Sequence, residues 1–222
     1  MGAIVLLSGG QDSATAALWM QRNLAGPYVA MTFRYGQRHE VEVEAARSVA
    51  EALGLSQVVL DIGSLWKLLE VESALTGEVE IGVGAEGLPT TFVPGRNLVF
   101  LLLGAIWGYP RGYRDIVVGV SQVDYSGYPD CRRSFLEAAQ MAISRALDAA
   151  YHIHAPFLEW DKAAIWRYAA SEGALELIRA KTHTCYRGIR GEMHEWGYGC
   201  GTCLACDLRR RGYEEAFGVK ER

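Results

Sequence analysis

Short apolar runs rich in β-branched residues alternate with longer amphipathic segments over the first two thirds of the chain. The runs have the length and composition of buried strands and lie at residues 3–7, 28–35, 58–62, 115–120 and 152–157. Strands that alternate with helical segments in this way form a parallel sheet covered by helices. The pattern therefore predicts the α/β class, with the loops that follow the strands gathered at one edge of the sheet.

The segments between these strands predict helices, because their apolar residues recur at helical spacing. We expect the helices at residues 11–23, 38–53, 97–108, 133–150 and 161–171.

Two other segments lack a clear period. Residues 70–91 are rich in glycine and are predicted to form a long loop, of the kind that often acts as a lid. Residues from 181 onward are rich in glycine, cysteine and arginine and show little periodicity. We therefore place a domain boundary near residue 180, with residues 181–222 as a small C-terminal region.

Charge and hydropathy restrict the class of partner. The chain has 222 residues, and 22 lysines and arginines against 26 acidic residues give a net charge of −4. A surface that grips a nucleic-acid backbone is basic, so we expect a small-molecule substrate and no nucleic-acid partner. The apolar runs fall well short of the ~20 residues that span a bilayer, and no secretory signal is recognisable. We therefore expect a cytoplasmic protein with no membrane partner.

A glycine-rich hexapeptide, SGGQDS at residues 8–13, lies between the first predicted strand and the first predicted helix. Its glycines let the backbone turn sharply and leave successive N–H groups free, and the helix N-terminus adds a positive partial charge. Ser8 and Ser13 add hydroxyl donors. The loop predicts a phosphate site, although it lacks the lysine of the GxxxxGK[ST] type. The alternative is an ordinary tight turn with Asp12 or Ser13 as the N-cap.

Four of the five cysteines form the pattern C-x14-C-x2-C-x2-C, at Cys185, Cys200, Cys203 and Cys206. Four thiolates at such spacing can enclose a zinc ion tetrahedrally. Iron–sulfur ligation uses related spacings, but the ferredoxin pattern continues with x3-C-P and this chain does not, so we expect zinc. His183 and His194 are expected at the surface or behind the ligands, and Cys131 is left as a free thiol near the site.

Cationic and polar residues stand at the start of two later helices. Arg96 presents a planar fork suited to carboxylate or phosphate, and Asn97 is a natural N-cap. Lys162 can neutralise phosphate charge as a point cation, and an exposed surface lysine is the alternative.

The segment after the fourth predicted strand offers flat and acidic groups for a ligand. Ligands in open α/β sheets bind beyond the carboxyl ends of the strands. Aromatic faces can stack on a flat heterocycle, and carboxylates can accept paired N–H bonds from a guanine-like edge. The residues concerned are Asp124, Tyr125, Tyr128 and Asp130. An exposed polar loop is the alternative for this segment.

Together these stretches resemble the PP-loop ATP pyrophosphatases, through SGGxDS, and within them the 7-cyano-7-deazaguanine synthase family of queuosine-precursor biosynthesis. The further stretches that carry the resemblance are residues 35–39, 92–97, 124–132, 161–162, 184–186 and 200–209. The match follows the family's order along nearly the whole chain. One departure is residues 192–198, a longer insert than the family leads us to expect.

The resemblance implies an adenine-nucleotide α-hydrolase (PP-loop) fold: a doubly wound, mostly parallel sheet with a small helical and irregular zinc-binding appendage. It also implies that 7-carboxy-7-deazaguanine, ammonia and ATP give the nitrile through an adenylated carboxylate and an adenylated amide. Mg²⁺ and Zn²⁺ are the implied metals, and a homodimer is the implied assembly. We expect the loop at residues 70–91 to close over the site and keep water from the adenylates.

The resemblance and the chemistry together assign roles. Asp12, Arg96 and Lys162 are the predicted catalytic residues, Asp12 for Mg²⁺ and the loop, the other two for charge neutralisation. The heterocycle is predicted to contact Arg96, Asn97, Asp124, Tyr125, Tyr128 and Asp130. ATP is predicted to contact Leu7, Ser8, Gly9, Gly10, Gln11, Asp12, Ser13, Ala14, Thr15, Ala16 and Ala17.

Three alternatives stay open at this point. A PP-loop tRNA thiolase would replace oxygen by sulfur after adenylation, and an iron–sulfur cluster or a basic groove would favour it. A related ligase would join a deazaguanine to a macromolecule instead of to ammonia. A non-catalytic zinc-knuckle module that binds RNA would leave the first loop without a purpose.

Overall fold

The central element is a sheet of five parallel strands in the order β3-β2-β1-β4-β5. The computed structural model describes residues 1–37, 40–69, 73–76, 82, 87–123 and 127–219. The strands are β1 (Gly2–Leu6), β2 (Tyr28–Arg34), β3 (Ser56–Asp61), β4 (Tyr113–Val117) and β5 (His152–His154). The strand order changes direction at β1, so the loops after β1 and β4 separate and leave a crevice at the carboxyl edge.

Helices cover both faces of the sheet, as the sequence predicts for a doubly wound α/β fold. They are α1 (Gln11–Asn23), α2 (Val41–Ala52), α3 (Gly63–Leu68), α4 (Arg96–Gly108), α5 (Arg133–Ala146), α6 (Lys162–Ser171), α7 (Leu175–Lys181) and α8 (Leu204–Phe217). Short 3-10 turns lie at Tyr109–Arg111 and Pro129–Cys131, and β6 (Met193–His194) pairs antiparallel with β7 (Gly197–Tyr198).

Side chains alternate in direction along each strand, and they pack into two apolar layers, one on each face of the sheet. Ala3 and Val5 of β1 face a core that includes residues of α1, α2, α6, α7 and α8. Ile4 of the same strand faces the opposite layer, where α4 supplies Val99 and Phe100. Burial on both faces explains why the strands read as continuous apolar runs instead of alternating ones.

The C-terminal region packs into the first of these layers. Cys185, Trp196, Cys203, Ala205 and Cys206 belong to the same buried cluster as the β1 side chains. The region is therefore more ordered than its composition predicts.

Three helices were not expected from the sequence. Helix α3 has six residues and α7 has seven, which is too short for a clear period. Helix α8 is long, but its buried face consists of Ala205, Cys206, Arg209 and Gly212, so it shows no apolar stripe. Among the described residues, no helix combines the length and the apolar character that a bilayer span requires.

Candidate active site

A cavity of about 310 Å³ lies at the crevice between the ends of β1 and β4. Its wall combines the loop after β1, the end of β2, the start of α4, the segment after β4 and residues 183–186. This is the position at which doubly wound sheets bind their ligands. Ten of the residues with a predicted role line it: Leu7, Ser8, Gly10, Gln11, Asp12, Ser13, Arg96, Asn97, Tyr128 and Lys162.

The loop after β1 is held by its own serines. The hydroxyl oxygens of Ser8 and Ser13 lie 3.0 Å apart, and the Ser13 hydroxyl also accepts from the Ser8 N–H and donates to the Gly10 carbonyl. Gly10 is the N-cap of α1 and no side chain caps the helix. The first N–H groups of α1 therefore remain available to an anion, and the alternative with Asp12 or Ser13 as N-cap is wrong.

Two glycines allow neighbouring elements to approach this loop. Gly9 has a φ of +86°, and a β-carbon there would lie 2.6 Å from the backbone nitrogen of Ala46 in α2. Gly119, just after β4, would place a β-carbon 2.5 Å from the Ser13 nitrogen. Both positions thus require glycine, and they allow α2 and the end of β4 to contact the glycine-rich loop at residues 8–13.

The second half of the predicted ATP-contacting stretch lies elsewhere. Ala14, Thr15, Ala16 and Ala17 are buried inside α1 and do not line the cavity. Small side chains at these positions let α1 pack closely on the sheet. The structure therefore limits the part of the stretch that faces the cavity to Leu7, Ser8, Gly10, Gln11, Asp12 and Ser13.

Asp12 and Lys162 form an ion pair at the cavity. The Lys162 Nζ donates to Asp12 Oδ2 at 2.5 Å, and both side chains are largely buried. Lys162 opens α6 as predicted, directly after the N-cap Asp161, whose carboxylate accepts from the Ala164 N–H. The second carboxylate oxygen of Asp12 is buried and has no hydrogen-bond partner among the described residues. The exposed-lysine alternative is wrong, because Lys162 faces the cavity.

Arg96 lies against an aromatic and acidic wall. Its guanidinium donates to the Tyr35 hydroxyl at 3.5 Å and lies near the face of that ring. Burial lowers the pKa of Arg96, but Tyr35, Tyr128 and Asp130 outweigh it and raise the pKa above the usual range. Arg96 therefore stays cationic in the cavity and is available to an anionic group.

Glu42 shares this wall at the start of α2. Glu42 lines the cavity, and among the described residues its carboxylate has neither a hydrogen-bond nor an ion-pair partner. Burial raises the pKa of Glu42 to about 7, and the Arg96 charge only partly opposes that rise. A carboxyl group with this pKa exchanges protons near neutral pH.

The start of α4 is fixed by the segment after β4. Asp130 Oδ2 accepts from the Asn97 N–H at 3.1 Å, and the Asn97 side-chain amide donates to the Asp130 carbonyl. The N-cap of α4 is Gly95, with a φ of +71°, so the expectation that Asn97 is the cap is wrong. The Asp130 carboxylate does not line the cavity, because it is turned toward the helix backbone.

Two other predicted heterocycle contacts, Asp124 and Tyr125, lie outside the described residues, as does most of the predicted lid at residues 70–91. Tyr128 lines the cavity, and its hydroxyl lies 2.5 Å from that of Thr91. Cys131 is buried and also lines the cavity, beside the Asn97 amide.

The four predicted cysteine ligands come together, with all four sulfur atoms within 4.8 Å of one another. The Sγ atoms of Cys200 and Cys206 are 3.9 Å apart, close to the ~3.8 Å edge of a tetrahedron with Zn–S bonds of ~2.3 Å. Thr202 and the Cys203 N–H donate to Cys200 Sγ. Although burial opposes it, these bonds lower the pKa of Cys200. The donor set therefore fits one thiolate-bound metal ion.

The segment just before the first cysteine, Cys185, connects this cluster to the glycine-rich loop. The His183 N–H donates to the Gly9 carbonyl at 2.8 Å, and His183 is buried at the cavity, so the surface expectation for it is wrong. Arg209 is fully buried, and its guanidinium donates to Thr184 Oγ1 and to the carbonyls of Trp196 and Ile178. Burial lowers the pKa of Arg209 to about 10.

The insert at residues 192–198 forms the β6–β7 hairpin and supplies the buried Trp196. His194 stacks on that indole at 4.4 Å and stands behind the cysteines, not among them.

Sequence reasoning assigned no role to Tyr35, Glu42, His183 or Tyr186, all of which line the cavity. Tyr35 follows β2 at the edge next to β1, so the strand-order rule offers a signal for it. Glu42 reads as one of several acidic residues on an amphipathic helix. His183 and Tyr186 reach the site only through the folding of the cysteine region.

Comparisons with known proteins agree with this geometry. A family model described as queuosine biosynthesis protein QueC matches residues 2–217. A 7-cyano-7-deazaguanine synthase 1 of Rhodopseudomonas palustris is 47% identical, with 96% of this chain and 94% of that protein covered. A 7-cyano-7-deazaguanine synthase of Burkholderia thailandensis is 43% identical, with 96% and 91% covered. An NH3-dependent NAD synthetase of Campylobacter jejuni shares the fold, with a TM-score of 0.51 at 15% identity over 80% of this chain and 66% of that one.

Proposed function

The chain belongs to the queuosine biosynthesis QueC family, and on that premise we propose that its cavity converts 7-carboxy-7-deazaguanine and ammonia to 7-cyano-7-deazaguanine with ATP. The observation that carries this proposal is that the uncapped N-terminus of α1, Lys162 and Arg96 meet at one cavity. The relatives are named synthases, so a thiolase or a ligase with a macromolecular acceptor is not favoured.

The proposed chemistry follows from the weakness of a carboxylate as an electrophile. One carboxylate oxygen attacks the α-phosphorus of ATP, and pyrophosphate leaves. Ammonia then displaces AMP to give the amide. A second ATP activates the amide oxygen in the same way, and loss of AMP leaves the nitrile. Charge accumulates on the phosphates in both rounds, which is where preorganised donors contribute most.

The residues of the cavity suit these roles. The free N–H groups at the start of α1 and the hydroxyl of Ser8 would hold the pyrophosphate. Lys162 would move from Asp12 to the phosphates, and Arg96 would bind the substrate carboxylate or the α-phosphate. Gln11, whose buried amide has no hydrogen-bond partner among the described residues, would bind a polar group of either substrate.

Asp12 would hold Mg²⁺, since one of its carboxylate oxygens is buried and the described part of the chain offers it no hydrogen-bond partner. Mg²⁺ commonly binds one or two protein carboxylates together with substrate phosphates, and it would supply charge neutralisation there.

The heterocycle would stack on Tyr128 and contact Asn97, both of which line the cavity. Asp124 and Tyr125 remain proposed contacts. For Asp130, its bonds to the backbone of α4 support a role in positioning Asn97, and its predicted contact with the heterocycle stays a prediction.

Zinc is the metal proposed for Cys185, Cys200, Cys203 and Cys206. Four sulfur atoms this close together surround one ion and leave no room for a cube of four irons. Metal analysis of the purified protein should give one zinc per chain, and the visible absorbance of an iron–sulfur cluster would contradict the assignment.

A homodimer is proposed through one face of α4. Leu98, Leu102 and Ile106 of α4, with Tyr109 directly after its end, recur at helical spacing and are all exposed. Leu102→Glu should convert a dimer to a monomer in sedimentation experiments. Met193→Glu, an exposed apolar position in the cysteine region, is the matched control.

The test of the function is mass spectrometry of the protein incubated with 7-carboxy-7-deazaguanine, ATP, Mg²⁺ and ammonium. We expect nitrile, AMP and pyrophosphate. Lys162→Met should slow the reaction by about 10²–10³-fold, the usual loss for one transition-state donor. Lys181→Met, which removes an exposed lysine, should not. Unchanged heterocycle with folded, metal-loaded protein would contradict the substrate assignment.

A further inference from the structure

The last step of the proposed reaction needs a base, because the amide nitrogen must lose both of its protons. When the amide oxygen attacks the α-phosphorus, pyrophosphate leaves and the nitrogen becomes cationic. One N–H bond then breaks and its proton goes to a base. The second N–H bond breaks as its electron pair forms the third carbon–nitrogen bond, while AMP leaves with the electron pair of the carbon–oxygen bond.

Among the described residues that line the cavity, only Asp12 and Glu42 carry carboxylates. Asp12 forms an ion pair with Lys162 beside the glycine-rich loop, so its negative charge is already neutralised. Glu42 lies at the start of α2, which packs against Gly9 of that loop, and it has no hydrogen-bond or ion-pair partner among the described residues.

The groups that face Glu42 keep it as a proton acceptor and do not neutralise it. These groups are Arg96 at the start of α4 and Tyr35 at the end of β2. The Arg96 charge lowers the pKa of Glu42, and the Glu42 charge raises the pKa of Tyr35. Neither forms an ion pair or a hydrogen bond with Glu42. Burial raises its pKa to about 7, so above neutral pH the group is an anion that can accept a proton and later release it to water.

On the basis of the proposed function, we propose that the Glu42 carboxylate accepts the N–H protons of the substrate amide during its conversion to the nitrile. The proximity of Arg96 supports the assignment, because Arg96 would hold the adenylated group whose nitrogen faces Glu42. The assignment makes Glu42 a catalytic residue of the second round only. Free ammonia in the buffer serves as nucleophile in the first.

The experiment compares the two rounds in Glu42→Gln, which keeps the size of the side chain. With the carboxylate substrate, ATP, Mg²⁺ and excess ammonium, this variant should still consume ATP and release the amide. With the 7-amide and ATP, nitrile formation should fall about 10²–10⁴-fold, the usual contribution of a general base. Glu44→Gln, an exposed glutamate on the same helix, is the matched control and should behave as the wild type.

The pH dependence supplies a second readout. Nitrile formation by the wild type should rise through about pH 7 and then level off, and Glu42→Gln should lack that rise. Glu42→Asp should restore part of the rate. A wild-type nitrile rate in Glu42→Gln would overturn the assignment. So would a raised KM for the heterocycle with unchanged kcat, or loss of both rounds together, since these results indicate a binding role. Failure of the wild type to make any nitrile would instead contradict the proposed function.

Discussion

Two walls of the cavity are built in opposite ways. The wall at residues 8–13 is made within one strand-to-helix turn, where Ser8, Gly10 and Ser13 bond to one another. The wall at residues 183–186 is made by partners far away in the chain, among them Arg209 and the cysteine cluster. The first wall is a local conformation, and the second exists only when the C-terminal region is folded around its cysteines.

The difference suggests a division of labour in the fold. A local turn keeps its shape with few outside contacts, so it is a reliable place for phosphate groups. The second wall encloses the substrates, and its closure depends on a metal and on a buried arginine. A hydrogen bond from the His183 backbone N–H to the Gly9 carbonyl joins the two walls directly. Substitutions in the first wall and in the second wall should therefore have different effects on metal binding, unfolding free energy and amide protection.

The largest effect should come from breaking the second wall with Cys203→Ser. The change removes a buried ligand, so we expect weak or absent metal binding and a loss of about 5 kcal/mol in unfolding free energy. That is a fraction of the 10–16 kcal/mol that zinc supplies to isolated zinc fingers. Metal analysis and denaturant unfolding measure both effects.

Hydrogen exchange in this variant tests the comparison itself. Amides at residues 183–206 should lose protection, while those at residues 8–14 should keep most of theirs. Cys131→Ser, a buried cysteine outside the cluster, should retain the metal. Equal loss of protection in both walls would show that the glycine-rich loop is not an independent local structure.

A somewhat smaller effect should come from Gly9→Ala in the first wall. The left-handed φ costs an alanine about 1–2 kcal/mol, and its β-carbon would meet the backbone of α2, where overpacking adds about 1–3 kcal/mol. Because the obstructing atoms are backbone, we expect the upper part of this range, about 4 kcal/mol, in denaturant unfolding.

Gly54→Ala separates the two causes. Gly54 has a similar φ of +64°, but a β-carbon there would meet nothing within 4 Å. Only the conformational cost of about 1–2 kcal/mol should remain. If the two variants lose equal stability, close packing of α2 on the loop is not what fixes glycine at residue 9.

The same contrast explains how much could be predicted from the sequence. The five strands, the glycine-rich loop and the four cysteines are local patterns, and all were found in the predicted places. Helix α8 was missed because its inner face carries Cys206, Arg209 and Gly212, residues whose burial depends on a metal site, distant carbonyls and a close helix neighbour.

Site residues divide along the same line. Arg96 and Lys162 could be selected because each begins a helix at the carboxyl edge of the sheet. Glu42 could not be selected, because in the sequence it cannot be distinguished from an exposed helical glutamate such as Glu44. In the fold, the start of α2 packs against Gly9, and Glu42 lines the cavity. Asp130 is the opposite case. It was selected because it lies in the segment after β4, but its carboxylate accepts a hydrogen bond from the backbone of α4.

A smaller effect than those of Cys203→Ser and Gly9→Ala is the pH-dependent change in stability at Glu42, where the local wall meets α2. A carboxyl group whose pKa rises from 4.5 to about 7 on folding binds more protons in the native state between these values. Stability therefore falls as the pH rises across that window. At about 1.4 kcal/mol per pH unit, Glu42 should lower the unfolding free energy by about 3 kcal/mol at pH 8 relative to pH 4.5.

Glu42→Gln lacks this penalty, so it should equal the wild type in stability near pH 4.5 and exceed it near pH 8. Because both proteins share every other titrating group, the difference between their unfolding free energies isolates this one carboxylate. A difference that does not change with pH would mean that Glu42 is solvated in the native protein, and the wall at the start of α2 would then be open to water.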